Sequence, residues 1–103
     1  MKTIGIALEY GLYPIWLHDE RGFIVDNILA EELGFDDEFS SKVQKLQDLY
    51  DSLFIDTEIE FSYIGDREPM KTLKIKSLYS YITNEINSKL RHNYNIQISE
   101  LCV

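Results

Sequence analysis

The chain has 103 residues, 45% of them hydrophobic and 13% aromatic, and a formal net charge of −8. That composition excludes a disordered polymer, the length fits one domain with one modest core, and the charge disfavours a surface built to neutralise phosphates. The charge is also lopsided: residues 1–66 hold fifteen Asp and Glu against four Lys and Arg, whereas residues 67–103 hold three acids and six bases.

Lys2 is the one basic residue before a short apolar run that Glu9 interrupts, which is too brief for a secretory leader. No stretch approaches the ~18 apolar residues of a membrane span, so the expectation is a soluble, cytoplasmic protein. The single cysteine, Cys102, allows no internal disulfide and suits a reducing compartment.

In residues 3–9, Ile4, Ile6 and Leu8 alternate and predict a half-buried strand. Gly11 and Pro14 then predict a turn. Residues 15–18 and 23–26, joined by Asp19-Glu20-Arg21-Gly22, read as a hairpin in which Gly22 supplies the positive φ. Phe39, Val43, Leu46, Leu49, Tyr50, Leu53 and Phe54 form one apolar stripe, predicting a helix over 36–54. Asp36, Asp37 and Glu38 supply its N-cap and acids suited to the positive end of its dipole.

Residues 57–64 alternate and read as a strand with Glu58, Glu60 and Ser62 facing water. Pro69 opens a second helix over 68–91, striped by Ile75, Leu78, Tyr79, Ile82, Ile86 and Leu90. Its other face is uncharged: Ser77, Ser80, Asn84, Asn87 and Ser88. Tyr94, Ile96 and Ile98 predict a last strand. The order β-β-β-α-β-α-β predicts an α+β domain, two helices packed on one face of a small, mostly antiparallel sheet.

Chemistry is sparse. Paired carboxylates need a shared pocket that separates their pKa values, but Glu31-Glu32 are sequence neighbours and Glu58 and Glu60 point to solvent. His18 and His92 are far apart in sequence, and no metal-ligand spacing, calcium loop, nucleophile elbow or phosphate loop occurs. The reading is no enzyme, no metal and no cofactor. Tyr50 and Tyr79 are expected in the core, and Trp16 is expected to pack beneath the helices. Tyr13, in the Gly/Pro turn, is a candidate anchor for a protein partner, since Tyr and Trp dominate binding hot spots.

The run Leu8-Glu9-Tyr10-Gly11-Leu12-Tyr13-Pro14-Ile15-Trp16-Leu17, with Asp19-Glu20-Arg21-Gly22, Asp26-Asn27 and later Leu49-Tyr50-Asp51-Ser52-Leu53-Phe54-Ile55-Asp56, resembles small acidic bacterial proteins. That group includes immunity proteins encoded beside polymorphic toxins, in particular those of contact-dependent growth inhibition systems. The resemblance covers about half the chain and none of it after residue 66. It implies cytoplasmic neutralisation of one cognate toxin C-terminal domain, commonly a nuclease or tRNase, with no catalytic residues. Such nuclease domains are basic where they hold phosphates, so an anionic inhibitor is steered onto them.

The expected contact surface is the loop Asp19-Glu20, the helix start Asp36-Asp37-Glu38, the Glu58/Glu60 strand face, and Tyr13 as anchor. The second reading is a structural or regulatory partner that homodimerises through the uncharged Ser/Asn helix face. The third is a hydrolase.

Overall fold

Ile4 and Ile6 lie two residues apart, so a pleated strand turns both to one side, where both are wholly buried. The computed structural model of the chain describes residues 1–101. Cys102, on which the thiol and disulfide expectations rest, lies outside the described residues. In chain order the elements are β1 (Thr3–Ile6), β2 (Ile15–His18), β3 (Ile24–Asn27), α1 (Asp37–Asp51), β4 (Phe54–Asp56), β5 (Phe61–Tyr63), α2 (Pro69–Leu90) and β6 (Asn95–Ile98), with 3-10 turns at Ala30–Leu33 and Gly65–Arg67.

One sheet has the order β3-β2-β1-β6. Its β1–β2 and β2–β3 pairs are antiparallel, and β1–β6 is parallel. The expected α+β architecture of two helices on one face of a small, mostly antiparallel sheet is therefore the observed one. The hairpin turn between β2 and β3 carries Gly22 at φ 87°, where a side chain would be strained. Parallel pairing of β6 follows from α2, which returns the chain to the beginning of β1, where Asn95 N donates to Lys2 O at 3.0 Å.

The helices cover one sheet face only. Ile4, Ile6 and Ile15 from the sheet join Val43 and Leu46 of α1 and Ile75, Ile82 and Ile86 of α2 in a single core. Tyr79, buried as expected, ties the layers together: its hydroxyl lies 3.1 Å from Ile6 O and 2.6 Å from Ser99 O. Its one proton is shared between two carbonyls, one buried and one at the edge of an open cleft. Tyr79→Phe is expected to lower stability by about 1 kcal/mol in urea denaturation, because Ile6 O still accepts from Ser99 N at 2.9 Å.

Trp16 and residues 57–64 depart from their expected places, as does the end of α1, which stops at Asp51 rather than at residue 54. Trp16 does not pack beneath the helices: it pairs with Gly5, facing away from the core, and its indole N donates to Ala7 O at 3.2 Å. Within the continuous apolar run 15–17, Ile15 and Leu17 take the helix side, so alternation sends Trp16 to the other. The strand expected over 57–64 is instead a turn followed by β5, paired back onto the unforeseen β4 in a separate two-stranded sheet. Thr57 closes that turn, its N donating to Glu60 O at 2.7 Å and its Oγ1 accepting from Glu60 N at 3.1 Å. Glu58 and Glu60 consequently sit at a hairpin tip rather than along a strand.

Candidate functional site

Where the carboxylates go depends first on which ones the backbone needs. Asp19 Oδ1 accepts from Arg21 N at 2.9 Å and Phe23 N at 3.0 Å, shaping the β2–β3 turn, while Glu20 beside it is exposed. Asp36 is the N-cap of α1, its Oδ1 accepting from Phe39 N at 2.9 Å. Asp37 is exposed, and Glu38 stands 3.7 Å from Lys42 Nζ one turn on. Such a surface pair contributes little stability. Tyr13 is half-buried, with its backbone N donating to Asn27 Oδ1 at 3.0 Å, and it shares an open cleft with Glu31, Asp37 and Ser40. Burial, opposed by a hydrogen bond from the Ala30 backbone and reinforced by Glu31, raises the Tyr13 pKa above its ordinary value.

The eight expected contact residues do not form one surface. Tyr13 and Asp37 come together, as do Glu58 and Glu60, but the two groups lie toward opposite ends of α1. Fifteen residues of helix, ~22 Å at ~1.5 Å per residue, separate Asp37 from the segment that leads into β4. Asp19-Glu20 adjoins the start of β1, since His18 pairs with Thr3, whereas the β4–β5 hairpin packs on Tyr10, beyond the other end of β1.

The second group is the richer one, and most of its residues were not foreseen. Register places Phe54, Asp56, Phe61 and Tyr63 on one face of the hairpin. Tyr10 lies on that face, its ring centroid 5.0 Å from Phe54 and 5.2 Å from Phe61, and Phe54 stacks on Phe61 at 5.6 Å. Carboxylates hold this arrangement: Tyr10 Oη donates to Asp56 Oδ2 at 3.0 Å, and Gly11 N donates to Asp51 Oδ1 at 2.9 Å. Gln47, buried against the same loop, donates to Asp51 Oδ1 at 2.7 Å and to Glu9 O at 3.0 Å. Despite these contacts the cluster stays wet: Ile59 is 97% exposed, Phe61 59% and Tyr63 43%.

Acids outnumber bases at this pole, where the nearest base in sequence is Arg67, two residues past the Gly65 on which Tyr63 packs. From residue 46 to residue 66 the chain holds six carboxylates and no Lys or Arg. The last turn of α1, the negative end of its dipole, also carries no base. Among the described residues, Glu38 is the one acid of the first 66 within ion-pair distance of a Lys or Arg. Two cations meet aromatic rings: Lys42, besides pairing with Glu38, sits over Tyr81, and Lys89 sits over Phe35 and donates to Gly34 O. Lys45 meets Lys74, whose hydrogen bond and like charge lower the Lys45 pKa.

Tyr10 reports this field. Its hydrogen bond to Asp56, then desolvation and the charges of Asp56 and Asp51, raise its pKa above 10.0. The neutral phenol is thus favoured by the fold, and the stabilisation is present below the unfolded-state pKa and is lost as pH rises through the raised one. Asp56→Asn removes the charge, so Tyr10 is expected to titrate closer to 10.0, as read by ¹³C NMR of its ring.

No group of three His, Cys, Asp or Glu that could hold a metal ion exists among the described residues. No described helix is long and apolar enough to cross a membrane. No protein-family model matches the chain, and no curated protein does.

Proposed function

We propose that this protein is an immunity protein that binds and neutralises a basic toxin domain, a nuclease or tRNase, by electrostatically steered docking. The observation that carries the reading is the hairpin pole, where carboxylates crowd around exposed aromatic rings without a single base between residues 46 and 66. Carboxylates left facing water raise the encounter rate with a cationic surface. Exposed rings then supply the apolar contact that holds the complex. A nuclease cleft offers the complementary sign, because it is built to bind phosphates. Cytoplasmic residence belongs to this proposal, since the toxin acts there.

The test is coexpression with the product of the adjoining gene. The reading predicts restored growth and copurification of the two chains in equal amounts. Unrescued growth and separate elution would contradict it and favour a regulatory partner that dimerises through the Ser77, Ser80 and Asn84 face, all exposed on α2.

A further inference from the structure

We infer that the aromatic face of the β4–β5 hairpin is the docking site for an arginine-bearing loop of the partner protein. The inference deepens the neutralisation reading and rests on it for the partner's biological identity, although the recognition chemistry can be tested separately.

A two-stranded hairpin is marginal on its own in water, and this one is held down through Phe54 and Tyr10 while Phe61, Tyr63 and Ile59 remain in solvent. Phe61 and Tyr63 share one hairpin face, and monomers rarely leave a contiguous apolar patch exposed unless something covers it. The charge around the patch selects the occupant. Asp56 shares the hairpin face with Phe61, and its Oδ2 is engaged by Tyr10, whereas Oδ1 takes no hydrogen bond among the described residues. Glu58 and Glu60 stand at the adjoining tip. A guanidinium suits both features at once: its plane stacks on an aromatic face while its edge pairs with a carboxylate.

The alternatives fit less well. A second copy of this chain would bring the same carboxylates face to face, and like charges juxtaposed in an interface disfavour that pairing. Phosphate backbones and anionic lipid headgroups are repelled by the same acids.

The experiment titrates the ¹⁵N-labelled full chain with tetra-arginine and, at equal charge and ionic strength, with tetra-lysine. Tetra-arginine is expected to shift the resonances of Tyr10, Asp56, Ile59, Phe61 and Tyr63, and to bind more tightly than tetra-lysine. Phe61→Leu preserves charge and bulk but removes the ring quadrupole, and should weaken tetra-arginine binding about two- to fivefold. Phe61→Tyr keeps the ring and should restore it, which separates loss of the ring from loss of the fold. Shifts of equal size at the Asp19-Glu20 turn and the start of α1, or indifference to Phe61→Leu, would overturn the inference.

Its failure is distinct from that of the functional reading. Growth rescue by a chain whose hairpin ignores the peptide overturns the hairpin site alone. Peptide docking at the hairpin without rescue overturns the neutralisation reading alone.

Discussion

Replacing Asp56, Glu58 and Glu60 together by Asn, Gln and Gln is expected to slow capture of the cognate basic domain by roughly tenfold or more at low salt. Steering depends on the summed field, and these three exposed acids follow the negative end of α1, whose last turn carries no base. Amides of the same shape keep most local geometry, so a stopped-flow association rate should fall while the thermal midpoint barely moves. Neutralising Glu20 and Asp37, toward the other end of the molecule, should change the rate much less. Equal slowing by both sets would mean that net charge alone matters and that the hairpin pole has no special role. An unchanged rate in both would remove the electrostatic argument altogether.

Leu46→Ala is expected to cost a large part of the protein's stability. Leu46 is wholly buried on α1, in the core that joins the helices to Ile4 and Ile6. Truncation forfeits the transfer energy of the lost isopropyl group and leaves a cavity, together about 2–5 kcal/mol. A domain of this size has roughly 5–15 kcal/mol in total, so chemical denaturation should show a markedly lower midpoint with a similar slope. The same change at Leu73, exposed on α2, should cost under about 0.5 kcal/mol.

The helices were the most legible part of the chain. Apolar spacing placed α2 within a residue of its observed ends, and Asp36 announced the start of α1 by its capping chemistry. The end of α1 was misplaced for a physical reason. Leu53 and Phe54 prolong the apolar stripe, yet they are buried or half-buried in the turn and strand that follow Asp51. Period alone cannot tell a helix from whatever continues its buried face.

The hairpin was concealed in the same way. Glu58, Ile59, Glu60 and Phe61 alternate like a half-buried strand, but no Gly or Pro marks the bend that Thr57 closes. Ile59, which alternation would bury, is the most exposed large apolar residue of the described chain.

The exposure of Glu58 and Glu60 could be read from the sequence, and so could the acid excess. Their aromatic setting could not, because Tyr10 meets Asp56 across 46 residues of sequence. A late signal was present in retrospect: Phe54, Phe61 and Tyr63 crowd a short segment that holds no base to shield its acids.

The central claim is that carboxylates facing water draw a cationic macromolecule onto this protein. Its most direct measurement is the association rate constant of the unmodified chain with the domain it rescues cells from. Ionic strength would be raised from about 0.01 M, where the screening length is ~30 Å, to about 1 M, where it is ~3 Å. The account predicts a steep, continuous fall in that rate with added salt. A rate that stays level across the whole range would contradict it.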